Sequence, residues 1–224
     1  MALERDRTGK ETKVGRGDAQ GKSPVTYEAQ LDGDPTWAVM EGSRHFEEQS
    51  AVFAALHRIV RRLDELEIPY AVAGGMALFQ SGYRRFTEDV NILVTPEGMA
   101  QIFERLDGLG YTRPQGTEKC LRDSESGVKI EFLTTGGFPG DGKPKPISFP
   151  NPADVGLEGA GIRYLNLPSL VELKLASGMS GAGRLKDLAD VQELIKLLKL
   201  DADFSEQLNS YVRPRFLELW EQSR

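Results

Sequence analysis

The sequence predicts an α/β protein, and three observations carry that prediction. Short apolar runs of strand length (70–73, 89–94, 128–133 and 162–167) alternate with amphipathic runs of helical spacing. Glycine and proline punctuate the junctions, as in Gly74-Gly75, Thr95-Pro96 and Pro168-Ser169. The 224 residues are 39% hydrophobic and 28% charged, which suits one globular domain with a sizeable core, or one with a helical extension.

In chain order, residues 1–34 are rich in Gly, Lys, Asp, Glu and Thr and poor in apolar groups, so a flexible arm is expected there. Phe46–Leu66 reads as the first helix, with Phe53, Leu56, Ile59, Val60 and Leu63 on one face and Ile68-Pro69 beyond its end. Tyr70–Ala73 is a short strand. Gly74-Gly75 turns the chain into a helix that opens at Met76. Arg84 and Arg85 lie in the loop that follows, ahead of a second strand, Asp89–Val94. Thr95 is an N-cap and Pro96 the first residue of the next helix, whose expected buried stripe is Ile102, Phe103, Leu106 and Leu109, with Gly110 as its stop. Lys119–Asp123 and Val128–Leu133 predict a hairpin. Thr134–Pro152 is a long Gly/Pro loop, and Ile162–Leu167 a last strand. Pro168-Ser169 opens a helix carrying Lys174, and Gly178–Gly183 links it to a strongly amphipathic helix with Leu188, Val191, Leu194, Ile195 and Leu198 inside. One or two helices between Phe204 and Trp220 close the chain, with a break at Pro214.

Side chains alternate across a strand, so Asp89 and Asn91 share one face while Val90, Ile92 and Val94 take the core face. Glu131 falls on the polar face of its own strand and is a third candidate for the same side of the sheet. A strand that leads through Gly74-Gly75 into a helix N-terminus suits a phosphate, although a bare turn is equally compatible. Arg84 and Arg85 are read either as surface charges or as groups that pair with a phosphate or brace Asp89. Lys143 and Lys145 are loop lysines, either solvated or in reach of a substrate. Asp187 and Asp190 share a helix face and sit near a helix start, where acidic groups also serve as dipole stabilisers.

Other classes are disfavoured. The net charge of -6 argues against a mainly electrostatic nucleic-acid binder. One cysteine, Cys120, gives no internal disulfide and no Cys-rich metal site. No apolar run is long enough for a bilayer span, and the first residues lack a signal-peptide core, so a cytoplasmic protein without membrane association is expected. There is no GxxxxGK[ST], GxGxxG or HExxH motif, and the two histidines, His45 and His57, do not suggest a triad.

The order Gly74-Gly75-Met76-Ala77, then Arg85-Phe86-Thr87-Glu88-Asp89-Val90-Asn91, then Ile130-Glu131-Phe132 resembles the nucleotidyltransferase fold. It is most similar to the minimal bacterial proteins grouped with AbiEii-type toxins of toxin–antitoxin and phage-defence systems. The run from Leu170-Val171-Glu172-Leu173-Lys174 to Arg184-Leu185-Lys186-Asp187-Leu188-Ala189-Asp190 resembles the helical segment that follows the catalytic sheet in that group. The resemblance covers roughly residues 65–200. It implies a small mixed sheet flanked by helices with a C-terminal helical bundle, dividing the chain into the arm (1–34), a catalytic domain (35–167) and a helical region (168–224). It implies two Mg²⁺ (or Mn²⁺) ions at Asp89, Asn91 and Glu131, and NTP phosphates against Gly74 and Gly75. Arg85, Thr87, Lys174, Lys186 and Asp187 take further nucleotide-contact positions. The implied reaction moves NMP from NTP to a hydroxyl on RNA, such as a tRNA, or on protein, with an antitoxin as a further partner. The chain departs from the pattern at Asn91, where the family has an acid. An amide oxygen can bind Mg²⁺ but brings no charge. The alternative is therefore a catalytically impaired nucleotide-binding module.

Overall fold

The computed structural model describes residues 25–224. Residues 1–24 of the expected arm lie outside the described residues, but the rest of that stretch is ordered. Thr26 caps α1 (Tyr27–Gly33) by accepting from the Ala29 N–H, and Asp34 caps α2 (Pro35–Phe46) by accepting from the Trp37 N–H. Tyr27 is fully buried, and its hydroxyl donates to Glu41 at 3.3 Å. A buried aromatic with a partner for its hydroxyl offsets the ordering cost that the surrounding polar residues cannot.

The first predicted helix is in fact two. Ser50 accepts from the Phe53 N–H and starts α3 (Ala51–Glu65), while Phe46 closes α2 and is 47% exposed. The buried face of α3 is the predicted one, with Phe53, Leu56, Ile59, Val60 and Leu63 inside. Next come β1 (Tyr70–Ala73), α4 (Gly74–Gln80), β2 (Asp89–Val94) and α5 (Pro96–Leu106). Leu109 is not part of the α5 stripe: the helix ends at Leu106 and Asp107 is extended, so the period stops and Leu109 is 67% exposed. A two-residue strand, β3 (Tyr111–Thr112), precedes the predicted hairpin of β4 (Cys120–Asp123) and β5 (Lys129–Thr134).

After the long loop come a single turn, α6 (Pro152–Val155), and the antiparallel pair β6 (Gly156–Gly159) and β7 (Ile162–Leu165). The helical region is α7 (Leu167–Gly178), α8 (Leu185–Leu198) and α9 (Arg213–Glu221). Short 3₁₀ turns at Ala182–Arg184 and Ala202–Gln207 join them. Pro214 does not break α9; it occupies the first turn, where its missing N–H costs nothing. Leu198 is 37% exposed because α8 ends there, before Lys199 turns into the left-handed region.

The seven strands form one mixed sheet in the order β3-β4-β5-β2-β1-β7-β6. β2 pairs parallel with β5 and antiparallel with β1, and β1 pairs parallel with β7. The predicted mixed sheet with flanking helices and a C-terminal helical region is the architecture found. Buried apolar residues from Tyr27 to Leu219 belong to one cluster, so α7, α8 and α9 share a core with the sheet. No helix among the described residues is long and apolar enough to cross a membrane.

Candidate functional site

The parallel register of β2 against β5 sets the site. Asn91 lies directly opposite Glu131, and Asp89 opposite Lys129. Register partners on adjacent strands point to the same face, so Asp89, Asn91 and Glu131 share one side of the sheet. From strand geometry the Cα atoms of Asp89 and Glu131 are about 8 Å apart, within reach of a common ligand. All three line a cleft of ≈620 Å³. Gly74, Gly75, Arg85, Thr87, Lys174, Lys186 and Asp187 line it too, whereas Arg84, Lys143, Lys145 and Asp190 do not.

Asp89 is half-buried and its carboxylate is fixed from both sides. Thr87 Oγ1 donates to Oδ1 at 3.0 Å, and Asn91 Nδ2 donates to Oδ2 at 3.0 Å. A carboxylate only accepts, so the Asn91 amide must turn its nitrogen to Asp89. Its carbonyl oxygen is left for another donor or a cation. Glu131 accepts from Lys129 Nζ at 2.9 Å; burial opposes the ammonium, but the bond to Glu131 outweighs it and raises the Lys129 pKa.

Both glycines are dictated by their neighbours. Gly74 has φ +59°, and a Cβ there would meet Asn91 Nδ2 at 2.8 Å. A Cβ on Gly75 would meet the Oγ1 and Cβ of Thr87 at 2.5 and 2.6 Å. The diglycine therefore lets α4 press against the two residues that hold Asp89. No side chain caps the α4 N-terminus, so its first N–H groups remain available at the cleft. Gly75→Ala should displace Thr87, whose Cβ is fixed to the backbone and cannot swing aside. The expected cost is about 1–3 kcal/mol, read as a fall of several degrees in Tm by scanning calorimetry.

The opposite wall is an ion cluster contributed by three segments. Arg85 binds Asp190 through two parallel bonds, Nε to Oδ1 at 2.9 Å and Nη2 to Oδ2 at 3.0 Å. It therefore neither braces Asp89 nor stands free for a phosphate. Lys174 Nζ donates to Asp187 Oδ1 at 2.6 Å and Asp190 Oδ2 at 2.7 Å. Ser177 Oγ donates to Asp187 Oδ2 at 2.6 Å. Burial works against the Asp187 charge, but Lys174 and Ser177 outweigh it and hold its carboxyl below the usual range. Asp187 and Asp190 share a face, as their spacing predicted, and both use it on Lys174.

His45 supports this wall from within the core. It is fully buried, among Phe46, Phe53, Phe79 and Phe86. Burial lowers its pKa, which keeps the imidazole neutral at physiological pH. Nε2 lies 3.2 Å from the Arg85 carbonyl, which can only accept, so Nε2 carries the proton. Nδ1 then accepts from the Ser50 hydroxyl at 3.1 Å.

The two loop lysines are not part of the wall. Lys145 donates to the Pro139 carbonyl and to Asp141, and Lys143 is exposed outside the cleft lining. Lys119, Phe138, Ser177 and Arg184 line the cleft without having been singled out. Lys119 begins the predicted hairpin next to Glu131, which is the one signal that could have found it. Phe138, Ser177 and Arg184 lie in segments whose path the sequence does not fix.

Among the described residues no group of three or more His, Cys, Asp or Glu side chains is placed to hold a metal ion. The donors that are present are two carboxylates, Asp89 and Glu131, and the Asn91 amide oxygen. These hard oxygens fit one divalent cation that completes its shell with phosphate oxygens and water. They do not supply the charge for two.

No known family profile matches the chain, and no curated protein matches it. Among solved structures, it is similar to ANT(2")-Ia in complex with adenylyl-2"-tobramycin, with 12% identity and a TM-score of 0.49 over 74% of this chain and 96% of that one. It is also similar to an antigenic nucleotidyltransferase-like protein from Paracoccidioides brasiliensis, with 16% identity and a TM-score of 0.46 over 75% of this chain and 91% of that one. Likenesses this distant say nothing of chemistry.

Proposed function

We propose that the cleft binds a nucleoside triphosphate with one divalent cation and transfers its NMP to a hydroxyl on RNA or protein. The observation that carries this reading is the convergence of Asp89, Asn91 and Glu131, the uncapped α4 N-terminus, Lys174 and Lys186 on one cleft. Asp89 and Glu131 would hold the cation, with the Asn91 amide oxygen as a neutral third donor. Bound there, Mg²⁺ or Mn²⁺ would supply charge neutralisation for the phosphates.

The remaining work falls to the chain itself. The free N–H groups at Gly74 and Gly75 take phosphate oxygens, and Lys186 adds positive charge. Thr87 and Asn91 keep the Asp89 carboxylate in one orientation, so no reorganisation is needed when the substrate arrives. The acceptor oxygen bonds to the α-phosphorus, the bond from that phosphorus to the bridging oxygen breaks, and pyrophosphate leaves. The proton of the acceptor hydroxyl passes to Glu131. The test is incubation with α-labelled NTPs, Mg²⁺ or Mn²⁺ and a cell extract. Label should appear in RNA or protein; its absence for all four NTPs would remove the transfer step.

Asn91 supports a second reading, a nucleotide-binding module without turnover. Its amide satisfies Asp89 where an acid would repel it and call for a cation. In the Asn91→Asp variant two carboxylates would face each other at hydrogen-bond range. A unit charge at about 4 Å from the cation adds roughly 4 kcal/mol at intermediate dielectric, before desolvation. The variant is expected to bind Mg²⁺ at least tenfold tighter and to show a Tm that rises with Mg²⁺ more than the natural protein's does. Transfer appearing only in this variant would favour the binding module. The Gly-Gly, Thr-Glu-Asp-Val-Asn and Lys-Asp-Leu-Ala-Asp motifs support a further role as the toxin of a toxin–antitoxin pair.

A further inference from the structure

The cleft has two chemical halves, and the polar one accounts for phosphate and cation only. On β5, Leu133 follows Glu131 on the same face, one alternation further along the strand. Beyond it the chain enters the 134–152 loop, whose cleft-lining side chains are almost wholly apolar, Phe138, Pro139 and Phe149 among them. On the facing helix, α7, Leu170 lies one turn before Lys174 and Leu173 directly before it, and both line the cleft. A triphosphate at Gly74-Gly75 and Lys186 would thus extend into a space walled by rings and aliphatic chains.

Phe138 stands out in this wall. It is half-buried, yet it is not among the residues packed against the core cluster. Among the described residues it has no aromatic or cationic stacking partner. Its backbone is nevertheless held on both sides. The Phe149 N–H donates to the Gly137 carbonyl at 2.7 Å, Lys145 Nζ to the Pro139 carbonyl at 2.5 Å, and Arg184 Nη2 to the Gly140 carbonyl at 2.9 Å. Gly140 also packs so tightly on α7 that a Cβ there would fall 3.0 Å from the Ser177 backbone. An unpartnered ring on a pinned loop is a preformed face for another ring.

We infer that this half is the nucleobase subsite, with Phe138 as the stacking platform, and that it does not discriminate between bases. The inference rests on the nucleotide reading of the cleft. Stacking is tolerant because every base has a π-face, whereas discrimination needs fixed donors and acceptors at the base edge. Beside the loop the polar side chains that line the cleft are Thr134, whose hydroxyl points to the Met99 sulfur at 3.5 Å, and Arg184, whose Nη2 donates to the Gly140 carbonyl at 2.9 Å. Lys145 is turned away to Pro139 and Asp141.

The experiment is a calorimetric comparison of ATP, GTP, CTP, UTP and inorganic tripolyphosphate, each with Mg²⁺, on the natural protein, Phe138→Ala and Phe138→Trp. The four NTPs should bind within about fivefold of one another and each at least about tenfold tighter than tripolyphosphate. Phe138→Ala should erase most of that advantage while leaving tripolyphosphate affinity unchanged, which also reports an intact fold. Phe138→Trp should retain the advantage. Unchanged NTP affinity in Phe138→Ala, or a preference of more than about fiftyfold for one base, would overturn the subsite while leaving the cleft a triphosphate site. Failure of both NTP and tripolyphosphate to bind the natural protein would instead overturn the nucleotide reading, and the subsite with it.

Discussion

Asp89→Ala should lower nucleotidyl transfer by at least about 100-fold, equivalent to about 2.7 kcal/mol of transition-state stabilisation. The size follows from how few charges the site has. Among the described residues only Asp89 and Glu131 bring a carboxylate from the strands to the proposed cation position, and Glu131 is shared with Lys129. Removing Asp89 leaves one compromised acid and a neutral amide, too little to compete with water for a divalent ion. The variant should still fold. Asp89 is half-buried and forms no ion pair among the described residues, so its loss strands no charge; the buried Thr87 hydroxyl and the half-buried Asn91 amide each lose one acceptor. Circular dichroism unchanged alongside lost label transfer is the expected pair of results. Transfer within tenfold of the natural protein would remove Asp89 from the machinery.

Asp190→Ala should act the other way, through stability. Asp190 is 2% exposed and receives three bonds, two from Arg85 and one from Lys174. Its loss leaves a half-buried guanidinium, 15% exposed, without its carboxylate and a lysine with Asp187 alone. Breaking a buried pair from one side costs about 3–5 kcal/mol, because the stranded charge keeps its desolvation penalty. For a chain of this size that is a Tm lower by about 10 °C. The contrast is Glu193→Ala, which removes a surface pair with Lys196 whose side chains are both 45% exposed. That pair should contribute less than about 1 kcal/mol. Differential scanning calorimetry of the two variants decides the matter: equal Tm values would mean that the Arg85–Asp190 link does not tie the helical region to the sheet.

The strands that carry the site were legible in the sequence because their first four residues alternate polar and apolar. Asp89 and Asn91 against Val90 and Ile92 leave one choice of face, and the same holds for Glu131 between Ile130 and Phe132. Elements with a conflicting pattern were not legible. α2 buries Glu41 and His45 while Val39 and Met40 are 72% and 51% exposed, so apolar periodicity points to the wrong face. What holds α2 in place is polar: Glu41 accepts from the Tyr27 hydroxyl and the Ala51 N–H, and His45 binds Ser50 and the Arg85 carbonyl. β6 has glycine at both ends and no alternation, and β3 has two residues, so neither carries a periodic signal. Arg85 illustrates a different limit. Its neighbourhood in sequence pointed to Asp89, four positions later, but its partner Asp190 lies 105 positions later. Local sequence shows that an arginine needs an anion; the packing of α8 against α7 chooses which one.

On the proposed reading one cleft, built from β2, β5, the diglycine turn and α7, takes a nucleoside triphosphate together with a divalent cation. Calorimetric titration of a non-hydrolysable NTP analogue, run once with Mg²⁺ and once with EDTA, tests it most directly. One analogue per chain with Mg²⁺, and affinity at least about tenfold weaker with EDTA, is the predicted result. No binding with Mg²⁺, or binding that is indifferent both to EDTA and to Asp89→Ala, would contradict it.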